Sequence, residues 1–171
     1  MKHLFTLLFL LISLFCFSSN KAKLLYNSIE KYSDIYAIPK HIAFNIAFLE
    51  TGYKGPNHSK YNPHRRSKCG AVGPMQIIPR YGKKYGKNVN KKSLMYNIET
   101  NVIVSMKMLK NLFVKYKSWE KAVACYHKGN PKPNKYSKYV TTNYTYTNKW
   151  VQYKPKDYPD CNPEYIQLVI N

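Results

Sequence analysis

The chain has 171 residues, of which 44% are hydrophobic, enough for one domain with a hydrophobic core but not for two full-sized domains. Its 28 lysines and arginines against 8 acidic residues give a formal net charge of +20. Such a balance favours polyanionic partners, such as nucleic acid, anionic lipid or a cell-wall polymer. The alternative is an ordinary solvated surface of scattered lysines.

The N-terminus has the pattern of a secretory signal peptide. Lys2 precedes a run over residues 4–17 in which all but two residues are apolar, and small residues follow. The run is shorter than the roughly 18 to 20 apolar residues that a membrane span needs. We therefore predict a signal peptide over residues 1–22 and a mature chain that is exported to the periplasm, the cell envelope or the exterior. It would have no stable membrane span after cleavage, and an uncleaved anchor is the alternative.

Hydrophobic spacing predicts a mainly α domain. Apolar residues three or four positions apart predict one helix over residues 22–37 and a second over residues 39–51. Pro39 suits the first position of the second helix, and Gly52 suits its left-handed C-cap. Residues 53–74 are rich in glycine and proline and have no sustained period, which predicts a long loop.

The second half of the chain continues with helical patterns. Residues 79–84 begin with proline and predict a short helix. The apolar stripe over residues 98–116 predicts the longest helix, with Asn97 as its N-cap. Ser118 suits the N-cap of a further helix, which ends by Gly129. Together these predicted helices form a single domain over residues 23–142.

Residues 143–171 differ in composition from the rest of the chain. They are rich in tyrosine, and their first part alternates tyrosine with threonine, which is typical of strands. We predict an aromatic, lysine-containing C-terminal tail there, with a β-hairpin as its candidate structure.

The cysteines and histidines do not have the spacing of metal ligands. Signal cleavage leaves Cys69, Cys125 and Cys161, none of them in a CxxC pair, so neither a zinc site nor a redox motif is indicated. The favoured disulfide joins Cys69 to Cys161, because Cys125 lies in a helical run where a small buried residue is expected. We predict no metal and no cofactor.

Glu50 stands where the second helix calls for another apolar residue. On a helix it shares one face with Ala43, Ile46 and Ala47. A carboxyl that is desolvated in this way has a raised pKa and can serve as a general acid near neutral pH. The alternative is a glutamate that simply marks the exposed end of the helix.

Four segments then appear in a recognisable order: ETGY, GAVGPMQIIP, NIETNVIVSMKML and ACYHKGNP. Together they resemble the soluble lytic transglycosylase (SLT) family, which is related to goose-type lysozymes. The resemblance extends over residues 29–142. It implies a lysozyme-like, mainly α fold that cleaves the β-1,4 bond between N-acetylmuramic acid and N-acetylglucosamine of peptidoglycan.

The resemblance also implies site residues. Glu50 matches the catalytic acid of the family. The residues that match its substrate-binding positions are Thr51, Ser67, Met75, Gln76, Tyr126 and His127. Three features depart from the family pattern: Pro74 replaces a leucine, His127 replaces an asparagine, and the loop after Glu50 is longer and basic.

The small number of acidic residues predicts the mechanism. Most glycosidases use two carboxylates, and none of the other seven lies in the loop that follows Glu50, where a lysozyme-type partner is expected. The resemblance therefore implies a single acid that produces 1,6-anhydro-muramic acid ends.

Two alternatives are a goose-type hydrolase and a non-catalytic peptidoglycan-binding or scaffold protein. The expected partner is peptidoglycan, with a secretion apparatus or other envelope proteins by analogy. No specific nucleic acid is expected, because no nucleic-acid-binding motif occurs.

Overall fold

The structure, a computed structural model, describes residues 20–142, and within that range it is built of helices. The helices are α1 (Asn20–Tyr36), α2 (Lys40–Thr51), α3 (Pro79–Gly82), α4 (Lys91–Tyr96), α5 (Ile98–Tyr116), α6 (Trp119–Lys128) and α7 (Lys135–Thr141), with a 3₁₀ turn (Lys83–Tyr85) after α3. No strand occurs in this part of the chain, where only isolated β-bridges form. The predicted mainly α class is confirmed.

Two predicted segments fall largely outside these residues. The C-terminal tail over residues 143–171 is not described, and neither is most of the signal peptide. The predicted end of the signal peptide, residue 22, falls in the first turn of α1. Between residues 20 and 142 no helix combines the length and the hydropathy that crossing a bilayer would need.

The centre of the fold is α5, against which α1, α4 and α6 all pack. Its apolar stripe is buried, with Met106 and Leu109 fully enclosed. The side chain of Asn97 accepts a hydrogen bond of 2.8 Å from the backbone N–H of Thr100, so this residue is the N-cap that the sequence predicted.

The helix that carries Glu50, α2, packs between α1 and α7. Residues 42–49 are all buried, so the helix is enclosed on every side and its last turn is held in place. Gly52 ends it with φ of +70°, and its N–H bonds to carbonyls of the last turn, as predicted. Pro39 is the N-cap and not the first helical residue, which corrects the expected start by one position.

Aromatic rings that pack in stacked and edge-to-face pairs order the long loop after α2. The rings of Tyr26, Phe44, Tyr53 and Tyr61 follow one another with centroid separations of 5.3, 6.2 and 5.1 Å. The Tyr53 hydroxyl also donates a hydrogen bond of 3.2 Å to the carbonyl of Ala22 in α1. The loop is therefore anchored to the helical core although it lacks regular secondary structure.

Hydrophobic spacing did not predict α4 and α7. Each begins with a capping box, in which an asparagine and the serine three residues later bond each other's backbone N–H: Asn90 with Ser93, and Asn134 with Ser137. Both helices are short, and neither presents the repeated apolar stripe on which the sequence interpretation relied.

The structure agrees with the predicted buried thiol at Cys125 and with a disulfide at Cys69. Cys125 is a buried free thiol on α6, and burial raises its pKa. Cys69 is disulfide-bonded. Its predicted partner, Cys161, lies outside the described residues.

Candidate active site

Glu50 lies in the last turn of α2 and is mostly enclosed, with a part of its surface still accessible. Burial raises the pKa of its carboxyl from 4.5 to about 7, and a hydrogen bond from Tyr136 opposes that rise. Within residues 20–142 no lysine or arginine forms an ion pair with it. A carboxyl with these properties holds its proton in about half of the molecules at neutral pH and can still reach a bound substrate.

Tyr136, on α7, is the hydrogen-bond partner of the acid. Its hydroxyl donates to Oε1 of Glu50 over 2.7 Å. The ring of His127, at the end of α6, stacks on the ring of Tyr136 with 4.0 Å between centroids and 10° between planes. The three side chains thus form a continuous set in which His127 supports Tyr136 and Tyr136 contacts the acid.

His127 has a depressed pKa. Burial lowers it from 6.5 to about 4, and the charge of Lys128 adds to that effect. The imidazole is therefore neutral at physiological pH. Its assignment to substrate binding stays a prediction, while the observed contact is the stack on Tyr136.

A tight hairpin-like loop lies beside the acid. Val72 and Ile77 exchange two backbone hydrogen bonds of 2.9 and 3.0 Å, which closes a four-residue connection between them. Gly73 within it has φ of +79°, and a Cβ there would collide with the Asn101 side chain and with the carbonyl of Leu94. Glycine is required at this position for both reasons.

Gln76 occupies the end of this loop in a left-handed conformation, with φ of +51°. A non-glycine residue held there is strained, which is a common feature of functional positions. Its side-chain Nε2 donates to the carbonyls of Gly73 (2.8 Å) and Arg65 (3.3 Å). With both amide hydrogens directed to the protein, Oε1 is the group that can accept a hydrogen bond from a sugar.

Met75 was expected to lie along the sugar, and its burial corrects that expectation. The side chain has 0% exposure and belongs to the hydrophobic core. Its backbone is held at both ends: the N–H donates to Oδ1 of Asn101 over 2.9 Å, and the carbonyl accepts from the Tyr126 hydroxyl over 2.6 Å. Met75 therefore fixes the loop that carries Gln76.

Tyr126 was expected near the acid or the substrate acetamido group, and its assignment to substrate binding stays a prediction. The Tyr126 hydroxyl donates to the carbonyl of Met75 and accepts from the Ser105 hydroxyl over 3.0 Å. Burial raises its pKa, and the negative charge of Glu50 adds to the rise, which places Tyr126 within electrostatic reach of the acid. The geometry indicates a positioning residue.

Thr51 follows the acid directly, and it too is engaged by the protein. It is buried, and its hydroxyl contacts the carbonyl of Ala47 at 2.9 Å, the hydroxyl of Tyr61 at 2.9 Å and the carbonyl of Pro74 at 3.1 Å. These contacts join the end of α2 to the neighbouring loop. The assignment of Thr51 to substrate binding stays a prediction.

Ser67 closes a turn at the base of the same loop. Its Oγ accepts from the N–H of Ala71 over 3.0 Å, and its backbone N–H donates to the carbonyl of Ala71 over 2.9 Å. The side chain is half-buried. Its assignment to substrate binding stays a prediction.

Asn101 is a site-building residue that the sequence interpretation matched to a family element but did not place in the site. It is completely buried on α5. Its Oδ1 accepts from Met75 N–H, and its Nδ2 donates to the carbonyls of Val72 and Leu94, both at 2.9 Å. One amide therefore ties α5 to the loop and to α4 with all its polar groups satisfied.

The other described carboxylates are engaged elsewhere. Lys40 pairs with Glu30 at 2.8 Å and with Asp34 at 3.2 Å, and it begins α2, about 15 Å of helix before Glu50. Glu99 pairs with Lys31 at 3.4 Å.

One carboxylate remains, Glu120 in the first turn of α6. It lies seven residues and about 10 Å of helix before His127. Within residues 20–142 the acid thus has no paired carboxylate of the kind that a two-carboxylate glycosidase uses. The described residues also contain no cluster of side chains that could hold a metal ion.

Tyr136 is the functional residue that sequence reasoning missed. The available signal was local: Asn134 and Ser137 have the spacing of a capping box, and Tyr136 and Val140 are four apart, as on one helical face. No local signal, however, shows that this short helix folds back against Glu50.

A comparison with known protein families found a match. A family model described as Transglycosylase SLT domain matches residues 27–149, which is more than two thirds of the chain. The matched range includes every site residue discussed above. The searches among curated proteins and among solved structures found no match.

Proposed function

The chain belongs to the transglycosylase SLT domain family, and we propose that it is a peptidoglycan lytic transglycosylase. It cleaves the β-1,4 bond between N-acetylmuramic acid and N-acetylglucosamine and leaves 1,6-anhydro-muramic acid ends. The observation that carries this proposal is a mostly enclosed carboxyl, Glu50, whose pKa is about 7 and which has no carboxylate partner in the described chain.

The mechanism needs only one carboxyl that first gives and then takes a proton. Protonated Glu50 donates to the glycosidic oxygen as the bond to C1 breaks, and the substrate's own acetamido group stabilises the positive charge at C1. The resulting carboxylate then removes the proton from the C6 hydroxyl, whose oxygen attacks C1 and closes the anhydro ring. No water is consumed, and Glu50 regains its proton. The acid step contributes about 10² to 10⁴ in rate.

The surrounding residues support this cycle in distinct ways. Tyr136 stabilises the carboxylate form through its hydrogen bond, so that the acid can alternate between its two forms near neutral pH. Gln76 offers its side-chain oxygen to a sugar hydroxyl or N–H. Tyr126, Thr51 and Met75 hold the loop and the helix end at a fixed distance from each other.

The family also bears on location and partner. Its members act on peptidoglycan and are typical of the cell envelope. We place this protein there, exported by means of the apolar run over residues 4–17. Its biological partners beyond peptidoglycan, such as a secretion apparatus, are proposed by analogy alone.

Product analysis tests the function. Purified sacculi are digested with the mature protein, and the released muropeptides are analysed by mass spectrometry. We expect muramic acid ends that are lighter by one water than the reducing ends that hydrolysis leaves. Reducing ends alone would identify a goose-type hydrolase.

A second arm tests whether the protein is an enzyme at all. Glu50→Gln removes the proton donor and keeps the size of the side chain, so we expect binding to sacculi to persist while release of muropeptides stops. Equal release by the wild type and Glu50→Gln would assign the chemistry to another group. No release by the wild type, with binding intact, would favour a non-catalytic peptidoglycan-binding protein.

A further inference from the structure

The segment that follows Glu50 carries charges of one sign only. Residues 53–96, which we name the basic wall, comprise the loop after Glu50 together with α3, the 3₁₀ turn and α4. They contain no aspartate or glutamate. Every lysine and arginine in them is exposed: Lys54, Lys60, Arg65, Arg66, Lys68, Arg80, Lys83, Lys84, Lys87, Lys91 and Lys92.

The acidic residues of the described chain all lie outside this wall. Glu30 and Asp34 are on α1, Glu50 on α2, Glu99 on α5 and Glu120 on α6. Charges of one sign therefore accumulate on the wall, where they produce a positive potential next to the site. Scattered lysines on a solvated surface would be interspersed with acidic residues.

The wall is continuous with the residues that surround the acid. The carbonyl of Arg65 accepts hydrogen bonds from Gly73 N–H (3.0 Å) and from the Gln76 side chain (3.3 Å), and Arg66 forms a β-bridge with Val72. Both arginines thus flank the loop that carries Gln76.

A second contact places the wall near the acid itself. Burial raises the pKa of Tyr61, and the hydrogen bond with Thr51 and the positive charge of Arg65 oppose that rise. The Arg65 guanidinium therefore acts on a hydroxyl that bonds to the residue next to Glu50. The pKa of Glu50 itself is raised by burial, and the Tyr136 hydrogen bond opposes that rise.

The charged groups of the substrate determine what these cations can bind. The glycan backbone of peptidoglycan is uncharged, and its ionised groups are the carboxylates of the peptide stems carried by every muramic acid. A glycan strand bound at Glu50 brings stems to both sides of the bond that is cut. The wall and the stems have opposite charge.

We propose that the basic wall binds the ionised carboxylates of the peptide stems, so that this enzyme selects glycan strands that still carry their stems. The inference rests on the proposed function, because it takes the peptidoglycan strand as the bound polymer. The exposed arginines and lysines of the basic wall contribute to binding through ion pairs with these carboxylates. Each such pair is weak, and several together produce a measurable affinity.

Direct binding tests this. The full mature chain carrying Glu50→Gln, which leaves the polymer intact, is titrated with soluble uncross-linked glycan strands that bear peptide stems. The comparison polymer is the same strands after an amidase has removed the stems. We expect the Kd for stem-bearing strands to be lower by roughly tenfold at low salt, and the preference to disappear at high salt.

Matched charge variants then locate the effect. Lys60→Gln/Arg66→Gln removes two exposed cations of the wall, while Arg65 is kept because its carbonyl holds Gln76. We expect this variant to raise the Kd for stem-bearing strands roughly three- to tenfold and to leave the Kd for stripped strands unchanged. Lys117→Gln/Lys121→Gln removes two exposed cations outside the wall and should change neither.

Three results would overturn the proposal. The first is an equal Kd for stem-bearing and stripped strands, and the second is an equal effect of the two double variants on the Kd for stem-bearing strands. The third is tighter binding of a phosphodiester polymer such as teichoic acid than of stem-bearing strands. Because binding is measured without cleavage, failure of the proposed lyase activity would appear separately, as the absence of anhydro products when the wild type is incubated with stem-bearing strands.

Discussion

The hydroxyl of Tyr136 lies 2.7 Å from Oε1 of Glu50, although the two residues are 86 positions apart in the chain. Two opposing effects meet at this carboxyl. Burial favours its protonated form, and the donated hydrogen bond favours its ionised form. The balance places the pKa at about 7, where one group can act as an acid and then as a base.

Removing the Tyr136 hydroxyl should raise the pKa of Glu50. In Tyr136→Phe the carboxylate loses a stabilising donor, so the pKa of Glu50 rises further above its ordinary value. Because the first step needs protonated Glu50, the alkaline limb of the pH–rate profile should move to higher pH. We also expect kcat to fall roughly tenfold, because the acid loses a charge-assisted hydrogen bond that orients it. The measurement is initial rate on sacculi across the pH range.

Tyr139→Phe is the matched control on the same helix. Its ring stacks on Phe48 with 6.4 Å between centroids, and its hydroxyl is not the one that contacts Glu50. The control should keep the wild-type pH profile. A shift of equal size in both variants, or none in Tyr136→Phe, would show that Tyr136 does not tune the acid.

The enclosed carboxyl should also cost stability, in a defined pH window. The folded-state pKa of Glu50 is raised from 4.5 to about 7, so the folded state holds this proton more tightly than the unfolded state does. Its favourable contribution is complete below about pH 4.5 and is lost as pH rises through about 7. The difference between these pKa values corresponds to a change on the order of 3 kcal/mol.

Glu50→Gln removes the pH-dependent contribution of Glu50 to the free energy of unfolding. The amide does not titrate, so the variant should gain about 1 to 3 kcal/mol relative to wild type between about pH 5 and pH 9. Chemical denaturation of both proteins at these two pH values measures the difference, and all other titrating groups cancel. A constant difference between the two proteins would mean that Glu50 titrates normally and is not desolvated.

The sequence predicted α1, α2, α5 and α6 because each has a repeated apolar stripe, and α2, α5 and α6 also have a recognisable cap. It also marked Glu50 as a candidate acid, because this residue extends such a stripe at the helix end and matches the catalytic acid of the family that the motifs resemble. These features depend on residues that are close together in the chain, where helical periodicity translates directly into structure.

The rest of the site depends on contacts across long separations. Nothing local shows that α7 returns to Glu50, that Met75 points into the core, or that the Tyr126 hydroxyl bonds to the Met75 carbonyl 51 residues away. The motifs supplied candidate site residues but not Tyr136, and they did not indicate which of these side chains the protein encloses.

His127 should destabilise the protein in acid through the opposite shift. Its folded-state pKa is lowered from 6.5 to about 4, so its contribution is complete above about pH 6.5 and is lost as pH falls through about 4. His127→Phe removes the titration and keeps an aromatic ring to stack on Tyr136. We expect the variant to be more stable than wild type near pH 4, by at most about 3 kcal/mol, in chemical denaturation.

The same variant tests how His127 contributes to activity. If the ring acts by supporting Tyr136, His127→Phe should retain activity at neutral pH, and His127→Ala should lose it together with the stack. Loss of activity in both variants, with unchanged stability, would instead show that a ring nitrogen binds the sugar.

Two glycines of the loop next to the acid provide the last comparison. Gly73 and Gly70 have nearly the same backbone, with φ of +79° and +81°. A Cβ at Gly73 collides with Asn101 and with the Leu94 carbonyl, whereas nothing lies within 4 Å of one at Gly70. Gly70→Ala should therefore cost only the left-handed strain of about 1 kcal/mol.

Gly73→Ala should cost on the order of 3 kcal/mol or more, because the loop must also separate from Asn101. That separation would break the hydrogen bond between Asn101 and Met75 N–H and move Gln76 away from the sugar. We accordingly expect Gly73→Ala to lose activity at temperatures where it is still folded, and Gly70→Ala to stay active. Denaturant unfolding and initial rates on sacculi measure the two effects. Equal losses in the two variants would show that the close contact between the loop and α5 does not position the site.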